Sequence, residues 1–320
     1  MTRSLLLKIG LLLALLAILA ATVAGRENNG FDLSDSLIPA DEIHLGGPAR
    51  DGIPAIDRPR FVTSAQADFL ADEDRVLALM HNGEAKAYPI AILNWHEVVN
   101  DTIGGMPVAI TYCPLCGTGV AFAAQRGGQP HTFGVSGLLY NSDVLLYDRE
   151  TESLWSQLLM QAISGPAKGE TLTPLASSHT NWRAWREEHP DTLVLSTDTG
   201  FERDYRRDPY AGYGSDTGLY FPVSRQSRRF HPKERVLGVE IDGRFKAYPY
   251  TELARHGQPE FADRFADRDL RIRFDRANES ARAFDDAGRQ LPAVSSFWFA
   301  WFAFHPDTEV FTAGDATTSR

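Results

Sequence analysis

The feature that most limits how this chain can fold is an internal repeat. Asn82-Gly83-Glu84-Ala85-Lys86-Ala87-Tyr88-Pro89 returns as Asp242-Gly243-Arg244-Phe245-Lys246-Ala247-Tyr248-Pro249, and each copy follows a short apolar run, Val76-Leu77 and Val236-Leu237. An Asn-Gly or Asp-Gly step between two such runs is a strong hairpin signal, because these residues tolerate the positive φ of a tight turn. A second pair keeps the same order. Trp182-Arg183-Ala184-Trp185 followed by His189-Pro190-Asp191-Thr192 matches Trp298-Phe299-Ala300-Trp301 followed by His305-Pro306-Asp307-Thr308. Two Trp residues three apart share one face of a helix, and the His-Pro step ends it because Pro cannot continue a helix. Between these marks Val108, Ile110, Tyr112 and Phe122 align with Leu270, Ile272, Phe274 and Phe284.

The repeat predicts two related halves, 61–200 and 221–320, joined by a connector over 201–220 that is rich in Gly, Tyr, Asp and Arg. The first half is longer. Its additional residues lie between Phe122 and Trp182, where short apolar pieces such as Phe133–Val135 and Val144–Tyr147 read as a β-meander. Helices are expected at Ile90–Asn100, Asn181–Glu188 and Tyr250–His256. The expected fold is α+β and β-rich, built by internal duplication, with the first half elaborated by the inserted meander.

Ahead of the halves, Arg3 and Lys8 precede a charge-free apolar run from Ile9 to Ala24. A basic head before such a run marks residues 1–25 as a signal peptide or a membrane anchor. The run is close to the roughly 20 residues that the hydrocarbon core demands. Small residues at Ala21, Ala24 and Gly25 suit a signal peptidase. Either way the chain is expected to be exported, to a periplasmic or extracellular location, with membrane attachment only through this segment. Residues 26–60 are polar and rich in Gly, Pro and Asp, and read as an extended arm or linker. The formal charge of −10 argues against nucleic acid, whose binding rests on neutralising phosphates with Lys and Arg. No phosphate-binding Gly loop is present, so no nucleotide cofactor is expected.

Only two cysteines occur, and they sit in Cys113-Pro114-Leu115-Cys116-Gly117 between the strand-like Val108–Tyr112 and Val120–Phe122. Asp275 and Asn278 occupy the matching positions of the second half, so the shared scaffold does not require thiols. Two thiolates separated by two residues can grip one metal ion. His96, on the helix expected before that strand, is the first choice for an imidazole ligand, and His131 is the next. Thiolates with imidazole suit copper or zinc on ligand softness. Asn141, Asp143, Asp148, Arg149 and Glu152 form a polar cluster expected to shape the mouth of the site. His189 and His305 fall within the helix stop of both halves, which favours a structural role.

The leading expectation is therefore an extracytoplasmic metal-binding protein, with a metalloenzyme as its catalytic form and a small molecule or metal ion as its partner. Two alternatives stand beside it. One is a thiol–disulfide protein with Cys113 attacking and Cys116 resolving. The other is a non-catalytic binding module in which the Cys pair is structural.

Several strings are family-specific. Leu93-Asn94-Trp95-His96-Glu97-Val98-Val99-Asn100-Asp101, Thr111-Tyr112-Cys113-Pro114-Leu115-Cys116-Gly117, Ser136-Gly137-Leu138-Leu139-Tyr140-Asn141-Ser142-Asp143 and Asp148-Arg149-Glu150-Thr151-Glu152-Ser153-Leu154-Trp155 resemble the prokaryotic family catalogued as domain of unknown function 3179. The resemblance implies an exported protein and transfers no catalytic role to any residue.

Overall fold

The computed structural model describes residues 28–314, so the proposed signal or anchor over 1–25 lies outside the described residues. No helix among the described residues is long and apolar enough to cross a membrane. The chain is β-rich, with a few short α-helices.

Strands β1 (Ile43–Leu45) and β2 (Phe61–Thr63) lead into the hairpin of β3 (Arg75–His81) and β4 (Glu84–Pro89). Helix α1 (Ile90–His96) and the antiparallel β5 (Val98–Ile103), β6 (Met106–Cys113) and β7 (Thr118–Ala123) follow. A small ribbon, β8 (Gln125–Arg126) and β9 (Gln129–Pro130), precedes four consecutive antiparallel strands, β10 (Phe133–Tyr140), β11 (Asp143–Asp148), β12 (Leu154–Ser156) and β13 (Gln161–Ser164). Then come β14 (Thr173–Leu175), β15 (Ser178–Asn181), α2 (Trp182–Glu188) and β16 (Leu193–Leu195). After the connector the chain runs through β17 (Arg235–Ile241), β18 (Arg244–Pro249), α3 (Tyr250–His256), β19 (Glu260–Phe265), β20 (Arg268–Asp275), β21 (Ser280–Phe284), β22 (Ala293–Phe297), α4 (Trp298–Phe304) and β23 (Glu309–Val310).

Two strand sets carry the repeated motifs. One sheet has the order β15-β3-β4-β16-β2, with β16 parallel to β4. The other contains β22-β17-β18-β23, with β23 parallel to β18, and continues from β22 through β7, β6 and β5. Lys86 stands opposite Leu193 in the first set, as Lys246 stands opposite Glu309 in the second. The sheets pack face to face where Leu77 of β3 lies over Gly119 of β7. A Cβ on Gly119 would come within 3.0 Å of the Leu77 side chain.

The repeated residues have matching jobs. Lys86 Nζ and Tyr88 OH both donate to Asp101 Oδ2, at 2.9 and 2.6 Å. Lys246 Nζ and Tyr248 OH both donate to Asp263 Oδ2, at 2.6 and 2.7 Å. The indole of Trp185 donates to Thr192 Oγ1 at 2.9 Å, and that of Trp301 to Thr308 Oγ1 at 3.0 Å. His189 and His305 lie against the same two indoles, with ring centroids 4.0 and 4.4 Å apart. The repeated Lys, Tyr, Trp, His and Thr thus hold the scaffold together.

Two expectations are corrected. Helix α1 stops at His96 rather than Asn100, because Glu97 takes a left-handed conformation (φ 58°, ψ −27°) and β5 begins at Val98. The stretch read as an arm or linker is packed, since Phe31, Leu33 and Ile38 are buried with Leu138, Leu145 and Tyr147, and β1 pairs with β10. Its few apolar residues are irregularly spaced, which hides their burial from a periodicity argument.

The Lys86–Asp101 pair is nearly buried, with side chains 6% and 8% exposed. Removing one partner of a buried pair typically costs about 3–5 kcal/mol, against at most about 1 kcal/mol at the surface. Denaturant unfolding of Asp101→Ala is expected to lose stability on the larger scale. Glu309→Ala, which breaks the half-exposed Arg244–Glu309 pair, should stay within about 1 kcal/mol of the parent.

Candidate functional site

The tip of the β6–β7 hairpin carries the cysteines. Cys113 ends β6, and Pro114-Leu115-Cys116-Gly117 turns the chain back to Thr118, which pairs with Cys113. Gly117 has φ +58°, and a Cβ there would meet the Phe297 ring at 3.0 Å, so glycine is required twice over. The Phe297 N–H donates to Cys116 O at 2.8 Å, tying the tip to the second half of the chain.

A second hairpin tip closes on the first. Asn141 and Ser142 link β10 to β11 with φ of 50° and 66°, the two positive values that a tight Asn-containing turn uses. The Ser142 carbonyl accepts from Cys113 Sγ at 3.6 Å and from Cys116 Sγ at 3.2 Å. Asp143 follows immediately. A ligand atom from each of Cys113, Cys116 and Asp143 lies within 4.8 Å of the other two, and all three residues are buried. Tetrahedral zinc with bonds of about 2.0–2.3 Å holds its ligand atoms about 3.3–3.8 Å apart, so small adjustments would close the set on one ion. Glu97, held by its left-handed cap, accepts the Tyr112 N–H on its carbonyl at 2.7 Å and is itself 7% exposed.

The electrostatics of this cluster are unusual. Burial pushes both thiols up, and neighbouring Asp143 adds to the effect on each. Burial pushes Asp143 up to about 7. Burial, and then the charge of Asp143, push Glu97 up to about 8. Asp143 Oδ2 accepts from the Leu158 N–H at 3.1 Å, but its Oδ1 has no partner. Ser142 Oγ, Asn141 Nδ2, Gln157 Oε1 and Tyr213 OH are also buried without partners. Neither Glu97 nor Asp143 forms an ion pair among the described residues.

The expected ligand His96 does not belong to this cluster. Its Nδ1 contacts Pro54 O at 2.8 Å and its Nε2 contacts Tyr205 OH at 2.7 Å, so both ring nitrogens are used elsewhere. The early end of α1 turns the imidazole towards the connector, where it packs on Phe201 and Tyr205. His131 lies instead beside Asp148 and Glu150, at 3.7 and 3.5 Å.

The polar cluster read from sequence divides in the same way. Asp143 joins the cysteines, and Asn141 Oδ1 accepts from the Ser224 N–H at 2.7 Å. Asp148 accepts from Thr151 and the Trp155 indole, Arg149 pairs with Asp57, and Glu152 pairs with Arg50. The last three residues hold turns and strands together rather than shaping the site.

Sequence reasoning missed Glu97, although it adjoins His96. It also missed the connector as a cover. Trp95 Nε1 donates to Arg207 O at 3.2 Å and Asn94 Nδ2 to Asp208 Oδ1 at 3.1 Å, strapping the connector to α1. Tyr213 of the connector is 3% exposed, and its hydroxyl is held protonated by burial and by the nearby thiols. The richness of the connector in Tyr was the available signal.

A family model described as "Protein of unknown function (DUF3179)" matches residues 50–290, well over half of the chain. The chain belongs to the DUF3179 family. Glu97, Cys113, Cys116, Asp143 and Tyr213 all fall within the DUF3179 span. No curated protein and no solved structure matches the chain.

The raised carboxyl values fix the sign of a pH effect. A carboxyl whose folded value exceeds its unfolded value makes the native state bind more protons, so stability falls as pH rises. For Asp143 and Glu97 the fall should run from about pH 4 to about pH 8 in metal-stripped protein. Urea midpoints across that window should decline in the parent. They should be distinctly flatter in Asp143→Asn/Glu97→Gln, and equal slopes would contradict the assignment.

Proposed function

We propose that Cys113, Cys116 and Asp143 hold a zinc ion and that this is an exported metal-binding protein whose site is built for metal-assisted chemistry. The observation that carries the reading is a cluster of four buried acids, these three with Glu97, that forms no ion pair among the described residues. Burying ionised groups without a partner is costly, so the metal-free cluster keeps its protons. A divalent cation would reverse that preference and draw the ligands into their ionised forms.

The donor set favours zinc over copper. Two sulfurs with a carboxylate oxygen suit zinc, whereas Cu(I) prefers soft sulfur donors. Three protein ligands leave a position free for a small molecule, as catalytic zinc sites do, and the ion would supply a Lewis acid there. Glu97 lies in electrostatic range of Asp143, and burial raises its carboxyl to about 8, which fits a group that exchanges a proton beside that position. Tyr213 and the connector shield the cluster from water.

The thiol–disulfide reading is less well supported. A redox-active cysteine needs exposure and a lowered thiol value, and both thiols here are buried and raised. Export rests on the apolar run after Arg3 and Lys8, and copper remains the alternative metal. We also infer that the halves arose by duplication and that β10–β13 are an insertion in the first. The matching strand order and the paired Lys–Tyr–Asp and Trp–Thr contacts support that history.

Elemental analysis of protein purified from the exported fraction tests the proposal. Near-stoichiometric zinc is expected in the parent and in His96→Ala. It should be lost in Cys113→Ser and Cys116→Ser and weakened at least about tenfold in Asp143→Asn. Folded parent protein that takes up no zinc, or cysteine variants that keep it, would contradict the reading.

A further inference from the structure

A second cluster of unsatisfied polar atoms lies between the two face-to-face sheets. Arg75 opens β3 and Arg235 opens β17, so the two arginines hold the same place in matching strands. Tyr112 is opposite Gly119, Gly119 is opposite Ser295, and Ser295 is opposite Leu237. Side chains of directly opposed residues share a face, and so do residues two apart in one strand, which brings Tyr112 and Arg235 to one side of that sheet. His179 of β15 is paired with Leu77, so His179 and Arg75 share the face of the other sheet. The Tyr112 ring meets the His179 ring edge-on, with centroids 6.0 Å apart.

The Glu279 carboxylate lies in electrostatic range of Arg75 but makes no ion pair with it. Arg75 donates only to main-chain carbonyls, from Nη1 to Asn278 O at 2.7 Å and from Nη2 to His179 O and Glu279 O at 3.0 Å each. Its Nε is buried without a partner, as is Nη1 of Arg235. His179 is 4% exposed, and neither ring nitrogen has a partner. Neither arginine forms an ion pair among the described residues. Burial and the neighbouring Arg235 push Arg75 down to about 10. Burial and both arginines hold the His179 imidazole neutral, so one ring nitrogen is an N–H donor. Two like charges brought together with idle donors is an arrangement that an anion would relieve.

We propose that Arg75, Arg235 and His179 form a binding site for a small oxyanion, a carboxylate or a phosphate group, between the two sheets. The guanidinium fork matches both chemistries, and a neutral imidazole adds a donor without adding charge. The site is independent of the zinc reading, since none of its residues belongs to the Cys113 cluster. It borders that cluster through Tyr112, which directly precedes Cys113 and lies in electrostatic range of both Arg235 and the Cys113 thiol.

Thermal unfolding of the whole exported chain, with and without metal stripping, tests the proposal. Inorganic phosphate and acetate would each be titrated against chloride at equal ionic strength. A saturable rise in midpoint with either anion is expected in the parent whether or not metal is present, and the effective anion identifies the oxyanion class. Arg235→Gln leaves the three carbonyl bonds of Arg75 intact, and should unfold cooperatively while losing about tenfold or more in apparent affinity. Arg235→Lys should recover part of that loss. No saturable shift in the parent with either anion, as when ordered water alone fills the space, would overturn the proposal. So would identical curves for the parent and Arg235→Gln.

Discussion

The Cys113–Cys116 hairpin tip is wedged against the second half of the chain, and the rest of the site depends on that contact. The Phe297 N–H reaches Cys116 O, and the Phe297 ring fills the space that a side chain at residue 117 would need. One residue pair, Ser295 with Gly119, links β22 to β7 and makes the central sheet continuous. These contacts hold the tip rigidly enough for a second tip, Asn141–Asp143, to close on it. The connector then covers the result. A site buried in this way solvates charge poorly, so its chemistry follows from which ions and protons it can hold.

The protein solves the problem of a buried carboxylate in two different ways. Asp101 and Asp263 are each met by a lysine and a tyrosine, in matching positions of the two halves. These carboxylates are satisfied, and their role is to hold strands together. Asp143 and Glu97 receive no such partner and are pushed towards the protonated form instead. A scaffold that pairs a buried acid with lysine twice leaves Asp143 and Glu97, beside the thiols, without an ion pair among the described residues, whereas the buried Asp148 is met by Thr151, the Trp155 indole and His131. That contrast is the physical ground for reading the thiol cluster as a place for a metal ion.

Much of this was legible in the sequence. The Asn-Gly and Asp-Gly steps located both hairpins, and the His-Pro steps located the ends of α2 and α4. The β-rich character and the Cys pair between two strands also came from local pattern. What failed was long-range geometry. His96 was chosen because its helix was expected to run on towards the cysteines, but the left-handed Glu97 ends that helix early and turns the imidazole to Pro54 and Tyr205. Asp143 was noticed only as one polar residue among several, because nothing local separates it from the turn-forming Asp148. The packing of Phe31, Leu33 and Ile38 against β10 and β11 depends on partners about a hundred residues away in sequence, which no periodicity reveals.

The metal-free cluster is expected to hold its protons and to give them up to a metal. Calorimetric titration of zinc into stripped protein at pH 7, in buffers of different ionisation enthalpy, counts those protons directly. Both thiols should be protonated at the start and Asp143 roughly half so, which predicts release of roughly two to three protons for each zinc bound. Zinc binding with no proton release, or release unchanged when Cys113 and Cys116 are both replaced by serine, would contradict it.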